Sequence, residues 1–443
     1  MSTQTDAGTN PSTRPDELHR RIGVLGASVS GIAIVLGAGI YVLVGEAAGI
    51  AGNGVWLSFL VGALLAAGTG LSYAELTSMF PEVGAAAAYA NEAFGRRAAF
   101  VTGWMDVAVN AIAGPAVALG FGSYVHQLTG LDPTLVAIGL IVVCTAIVLA
   151  GVTETVTLAA VFALIEVSGL AFVIVVGAPY LGTVDLLSVQ GGTAGLLGAA
   201  ALVFFAYEGF EEIATLSEEV KDPTRTIPIA LIVSVVVTTA IYALVAAVVV
   251  SVVPWQELAT SQAPLAVVVE RIAGDRWASA ISWIALFATF NTVLLILATG
   301  PRAMYGMARR GLMPPAFGRV WAARGTPWVA ILAGSGVSLA FAVIGDIGLV
   351  AQVTNFAIFT LFVMVNASVM RLRRTRPDAT RPFRVRPALG GFSLPSIVGL
   401  GGALLLSVYM EPWALVIGAA ALVLGFALSS VLVQHAPTDV PSR

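Results

Sequence analysis

The chain has 443 residues, of which 58% are hydrophobic and 11% charged, with 47 glycines and a formal net charge of −3. Soluble domains carry roughly 25% charged residues, so a water-facing skin cannot be assembled from this composition, and the hydrophobicity excludes a disordered chain. The single cysteine, Cys144, excludes a disulfide framework, which leaves an integral membrane protein made mostly of spanning helices.

Positive charge is carried by one lysine, Lys221, and 21 arginines. Val220 precedes Lys221, so the Gly-Lys pair of a phosphate-binding loop is missing. The histidines, His19, His126 and His435, are too far apart for a zinc helix of the H-E-x-x-H kind. No G-x-S-x-G elbow occurs. No enzyme activity, catalytic residue, metal site or cofactor is expected.

Residues 1–21 are polar and read as a tail. The apolar stretch that follows, 22–52, is too long for a signal peptide and reads as a retained helix. Further spans are expected at 55–80, 97–126, 133–151, 157–181, 195–219, 227–253, 277–300, 327–345, 347–370, 393–410 and 413–433, which makes twelve. At about 1.5 Å per residue each can cross a hydrocarbon core of about 30 Å. Segment 83–95 is too short to cross and reads as an interfacial or re-entrant piece.

With the N-terminus inside, 20 of the 22 Lys and Arg residues fall on the cytoplasmic side, and only Arg271 and Arg276 fall outside. That asymmetry supports both the count and the orientation, with both termini cytoplasmic. The arginines of 371–386 read as a stop-transfer anchor.

Two spans contain interruptions. The first reads Ile34-Val35-Leu36-Gly37-Ala38-Gly39-Ile40-Tyr41, with two glycines that each weaken a helix by about 1 kcal/mol. The sixth reads Phe204-Phe205-Ala206-Tyr207-Glu208-Gly209-Phe210-Glu211-Glu212, with three carboxylates in an apolar stretch. A charge at mid-membrane costs about 2.5–3.5 kcal/mol on the insertion scale. Broken backbone at that depth is tolerated only in a cavity or inside protein. Breaks in spans one and six of twelve suit two five-helix halves related by inversion, with a binding site at the midplane. Half-helix N-termini attract a carboxylate, and unwound carbonyls attract an ammonium, so an amino acid fits between them. The alternative is that Gly37 and Gly39 merely allow close helix packing.

At these residues the chain resembles the amino acid–polyamine–organocation superfamily of permeases, over most of 22–390. Gly37-Ala38-Gly39-Ile40-Tyr41 is similar to the family's Gly-Ser-Gly-Ile-Phe break. Tyr73-Ala74-Glu75-Leu76 with Phe80-Pro81-Glu82-Val83-Gly84 is similar to its Y-A-E-L…F-P-x-x-G signature. Phe205-Ala206-Tyr207 with Gly209-Phe210 resembles F-A-Y-x-G-F, and Glu218-Glu219-Val220-Lys221-Asp222-Pro223 follows as its E-E-x-x-[ND]-P run. Arg381-Pro382-Phe383-Arg384-Val385 resembles R-P-F-[RK]-V. The order and spacing of these motifs carry the likeness.

The resemblance implies an all-α polytopic fold, a LeuT-like 5+5 inverted-repeat bundle with discontinuous helices one and six and two peripheral helices. The repeats would occupy 22–181 and 195–370, followed by a basic loop at 371–392, the last two helices at 393–433 and a tail at 434–443. The substrate would lie among Gly37, Ala38, Gly39 and Ile40 on one side and Phe205, Ala206, Tyr207 and Glu208 on the other. The backbone of Gly37, Ala38 and Gly39 would take the carboxylate, and the carbonyls around Phe205, Ala206 and Glu208 the amino group. Phe205 would gate the site, with Tyr207 and Phe210 packed behind it. Ala38 departs from the family's serine and removes a hydroxyl contact.

The carboxylates in and near the spans remain to be assigned. Glu208, Glu211 and Glu212 would crowd one face if the segment stays helical. Glu208 can couple an ion, or bond free backbone donors at the break. Glu166 lies about 14 Å into its span, near the midplane, with no partner in sequence. In several proton-coupled relatives a lysine sits near this place, so Glu166 can carry the coupled proton or ligate sodium; a structural hydrogen bond is the alternative. Glu75 ends the second span and can close the inner pathway. Asp106 reads as a helix-packing hydrogen bonder, and Glu46 as solvated.

The reading is a secondary transporter in the cell membrane that moves amino acids by alternating access, coupled to protons. An exchanger of amino acids, amines or polyamines is the alternative within that class. A channel or sensor on the same scaffold is the alternative outside it, and would show no saturable counterflow. The partners expected are a small-molecule substrate, a proton or sodium ion and the bilayer, with no nucleic acid.

Overall fold

The computed structural model describes residues 22–80, 85–151, 156–389 and 392–432. The tails and Pro81-Glu82-Val83-Gly84 of the signature above lie outside the described residues.

Helices run in chain order as α1 (Val24–Val35), α2 (Gly39–Ala51), α3 (Val55–Met79), α4 (Ala85–Phe94), α5 (Arg96–Thr129), α6 (Pro133–Leu149), α7 (Val156–Gly177) and α8 (Gly192–Val203). Two 3-10 stretches, Phe204–Tyr207 and Phe210–Glu218, then precede α9 (Pro223–Val252). The remainder is α10 (Trp255–Thr260), α11 (Pro264–Ala273), α12 (Asp275–Arg309), α13 (Trp328–Ala342), α14 (Ile347–Thr375), a hairpin of β1 (Ala388–Leu389) and β2 (Phe392–Ser393), α15 (Leu394–Val408) and α16 (Pro412–Leu432). Helix falls in every one of the twelve expected apolar stretches. The loop expected between the seventh and eighth instead folds into α10 and α11, joined by an Arg271–Glu257 ion pair.

Among the described residues, seven helical stretches are long and apolar enough to cross a membrane, and five shorter apolar helices accompany them. The molecule is an all-α, multi-pass membrane protein. Helix ends follow local rules. Asp132 and Asp346 accept from the backbone N–H groups of Leu135 and Leu349, each at 2.9 Å, and so cap α6 and α14. Gly95 (φ 89°) makes the sharp turn between α4 and α5.

Burial sorts the helices into a centre and a rim. The apolar window of α5 is 78% buried, whereas that of α16 is 17% buried. Leu164 of α7, Leu135 of α6, Val408 of α15 and Val423 of α16 point outward. Apolar side chains turned outward on rim helices suit contact with lipid rather than water. Inside, α5 packs on α12 and α14, α3 on α9, and α2 on α8.

A second buried layer is polar. Asn366 of α14 donates to Thr69 (3.0 Å) and its carbonyl oxygen accepts from Ser72 (2.7 Å), whose hydroxyl also meets Ser396 of α15 (2.7 Å). These bonds tie α3, α14 and α15 where hydrophobic attraction between helices is weak.

Candidate substrate site at two helix breaks

The helix α1 stops at Val35. Leu36 leaves helical geometry (φ −73°, ψ 74°), the Gly37 N–H turns back to the Val35 carbonyl at 2.8 Å, and α2 starts at Gly39. The first turn of α2 therefore opens inside the protein, with N–H groups that have no intrahelical acceptor. Ala38 and Ile40 are fully buried there.

The second break has the opposite polarity. Helix α8 tightens into the 3-10 stretch Phe204–Tyr207, Glu208 turns extended (ψ 138°), and Gly209 takes φ 103°. Only glycine adopts that backbone without penalty. The i+4 pairing of the carbonyls ending α8 and its 3-10 tail is thus interrupted, although the Phe205 carbonyl still accepts from the Glu208 N–H at 3.2 Å.

These two ends meet. A Cβ placed on Gly39 would lie 2.6 Å from Ala206 Cα, which no real side chain could occupy. The glycine is required for the approach of the two backbones. Gly37 differs: a Cβ there would find only Thr292 Oγ1 of α12, at 3.7 Å. Gly37 therefore borders open space, and Gly39 borders protein.

Each break is held by a side chain from a distant helix. The Tyr242 hydroxyl of α9 donates to the Val35 carbonyl at 2.8 Å. The Asn355 amide of α14 donates to the carbonyls of Ala201 (2.7 Å) and Leu202 (3.1 Å). Neither residue stands out in sequence; each is one polar side chain in an apolar helix, and its partner is 207 or about 154 positions away.

The aromatic residues divide by role. Phe204 packs edge-on against Phe359 (5.2 Å between centroids), and Phe210 tilts against Phe362 (5.4 Å). The Tyr207 hydroxyl sits 2.8 Å from the Phe59 carbonyl and 3.1 Å from Thr239 Oγ1. Tyr207 is thus turned to α3 and α9. Phe205, although 5% exposed, has no partner in this ring stack among the described residues.

The carboxylates are not arranged as a helical triplet. Because the backbone breaks at Glu208 and Gly209, Glu208 does not share a helical face with Glu211 and Glu212, and the condition for crowding is not met. Glu211 Oε2 accepts from the Gly209 N–H at 3.2 Å, so Glu211 rather than Glu208 satisfies the donor at the break. Glu208 is half-buried and lies within electrostatic reach of Glu211, Glu212 and Asp106 of α5.

Glu166 is buried in α7, 3% exposed, and its backbone carbonyl accepts from the Tyr41 hydroxyl at 2.6 Å. Tyr41 lies in the first turn of α2, and its own carbonyl accepts from Tyr124 of α5 at 2.9 Å. One contact therefore links Glu166 to the first break. Glu75 is placed elsewhere. Its buried carboxylate is gripped by Arg373 of α14 through two guanidinium nitrogens, one of them Nε at 2.8 Å, and accepts from the Val385 N–H at 2.8 Å. Arg381 approaches it to 3.6 Å. Arg371, Arg373 and Arg374 thus lie within α14 rather than in a loop, and Arg373 is a buried partner rather than a solvated anchor. Glu46, expected in solvent, is half-buried against Gly348.

This geometry can be compared with known proteins. A family model described as amino acid permease matches residues 22–438. The chain belongs to the amino acid permease family. It is a membrane transporter and not an enzyme. A transporter of Mycobacterium tuberculosis is 33% identical over 409 residues, covering 89% of this chain and 91% of that protein. The branched-chain amino acid permease of Bacillus subtilis is 29% identical over 390 residues, covering 83% and 84%. The methylthioribose transporter of the same organism is 28% identical over 398 residues, covering 84% and 85%.

Proposed function

We propose that this protein is a secondary active transporter that carries an amino acid across the cell membrane by alternating access, with a proton as the coupled ion. The observation that carries this reading is the meeting of two helix ends of opposite polarity at Gly39 and Ala206. An α-carboxylate suits the N–H groups of Ala38, Gly39 and Ile40, beside Gly37, whose own N–H is turned to the Val35 carbonyl. An α-ammonium suits the carbonyls around Phe205, Ala206 and Glu208. A zwitterion is the ligand that uses both, and the family membership agrees with it.

The substrate's side chain is directed to the space bordered by Gly37 and Thr292. Named relatives differ in cargo, a branched-chain amino acid for one and methylthioribose for another; the paired carboxylate and ammonium sites favour the amino acid here. Phe205 serves as the gate, since it lies at the break and outside the ring stack. Tyr207 supports the site from behind. Glu75 acts at the inner end, by holding α3 to α14.

Twelve spans in two inverted five-helix repeats, with α15 and α16 peripheral and both termini cytoplasmic, is the arrangement that suits the breaks and the arginine distribution. Glu166 is the proposed proton carrier. It is a buried acid in an apolar helix, and its backbone carbonyl, one residue's length from the carboxyl group, accepts from Tyr41 of the turn that would hold the substrate.

The test is uptake by the purified protein in liposomes, from a mixed amino-acid panel, with proton and sodium gradients imposed separately. Saturable uptake of an amino acid under the proton gradient is expected. Uptake driven only by sodium would remove the proton, exchange without response to either gradient would favour the exchanger, and flux without counterflow would mean a channel.

A further inference from the structure

The segment from Arg381 to Ala388 is a strap across one end of the bundle. The Val385 N–H bonds Glu75, and Phe383 bonds Ser78 through its N–H at 3.2 Å, so two points fix the strap to the end of α3. The chain alternates along it. Val385 is fully buried, while Arg384 and Arg386 on either side are exposed. Side chains two apart in an extended segment share a face, so the two guanidinium groups point outward together.

They line an open cleft of about 520 Å³ with Val385, Pro387 and Ala388. Two acids at this end are already committed. Glu75 holds Arg373, Arg381 and Val385, and Glu92 pairs with Arg376 at 2.8 Å. Among the described residues neither Arg384 nor Arg386 forms an ion pair. Two guanidinium groups in a cleft, with no ion pair to either among the described residues, form a site for an oxyanion, because the planar fork matches phosphate geometry.

The cleft also adjoins an apolar surface. The Leu394 N–H, at the start of α15, donates to the Pro387 carbonyl of the cleft at 3.0 Å. Leu394 and Ile397 are exposed, and Leu404, Leu405 and Val408 continue outward along the same helix. A free phosphate uses the arginines alone, whereas a phospholipid uses the arginines and this outward face together.

We infer that the cleft between Arg384 and Arg386 is a binding site for the headgroup phosphate of an anionic phospholipid, whose acyl chains lie on α15. The site requires only that the chain sits in a bilayer, and it is independent of which solute is carried.

The full-length protein in neutral detergent is titrated with phosphatidylglycerol, phosphatidylcholine and inorganic phosphate, and bound species are counted by native mass spectrometry. Phosphatidylglycerol is expected to be retained over phosphatidylcholine, with no displacement by equimolar phosphate. An arginine at a membrane surface contributes about 1 kcal/mol to anionic-lipid binding, so Arg384→Gln or Arg386→Gln weakens retention about 5-fold and the pair about 30-fold. Lysine at both positions, which keeps the charge and loses the planar fork, preserves only part of it. Arg319→Gln, at an exposed arginine outside the strap, changes nothing. Should the double variant fail to fold, the two single variants carry the test. Wild-type retention by the glutamine variants, equal loss in Arg319→Gln, or displacement by phosphate as effective as by lipid would each overturn the inference.

Discussion

At the scale of single residues, two glycines two positions apart have different tasks. Gly39→Ala puts a Cβ 2.6 Å from Ala206 Cα, so the contact between α2 and the 3-10 stretch Phe204–Tyr207 must open. Such overpacking costs about 1–3 kcal/mol, and a fall in melting temperature together with loss of substrate binding is expected. Gly37→Ala meets only a distant hydroxyl, so an unchanged melting temperature with a raised transport KM is expected. Equal melting losses in both variants would remove the distinction between packing and lining. Glu166 is tested by Glu166→Gln, which keeps the shape and removes the titrating group. Proton-driven uptake is expected to disappear while exchange of substrate across the membrane survives. Retained proton-driven uptake would sink Glu166 as the carrier and leave its contact with Tyr41 as structure.

At the scale of elements, a broken helix is stable only if its freed carbonyls are supplied with donors. Asn355 and Tyr242 do this from α14 and α9. Asn355→Ala would leave the buried Ala201 and Leu202 carbonyls short of a partner, at a cost of about 1–3 kcal/mol. Tyr242→Phe removes one bond, at about 0.5–1.5 kcal/mol. Thermal unfolding in detergent measures both, and no loss in either would mean that water takes over the bonding. The breaks themselves were legible in the amino-acid order, because glycines and carboxylates inside an apolar run announce expensive backbone. Their supports were not, because a lone Tyr or Asn on an apolar helix carries no sign of a partner some 150–200 residues away. The geometry after Gly209 was also hidden. The spacing of Glu208, Glu211 and Glu212 suits a helical face, but the left-handed glycine separates the first from the other two.

At the scale of the whole molecule, Glu75, Arg373, Arg381 and Val385 bind α3, α14 and the strap into one unit at one end. Breaking a buried ion pair by removing one partner costs about 3–5 kcal/mol, because the other charge stays buried alone. Glu75→Ala is therefore expected to lower the melting temperature more than Glu75→Met combined with Arg373→Met, which removes both charges. Equal losses would mean that packing rather than charge holds this end. The motif Tyr73-Ala74-Glu75-Leu76 and the run Arg381 to Val385 were each visible in sequence, yet only the fold reveals that they are two halves of one contact, 310 residues apart at Glu75 and Val385.

The close approach of Gly39 to Ala206 has a mechanical consequence. With only the Ala206 methyl at the contact, the two backbones lack the interleaved long groups that would let one slide over the other by exchanging rotamers. Translation there means collision, whereas tilting about the touching point does not. In the alternating access proposed above, the contact would serve as a fulcrum. Swinging α1 and the 3-10 stretch Phe210–Glu218 apart on one side would be levered, through a pivot the width of a single glycine, into closure of α2 on α8 at the other.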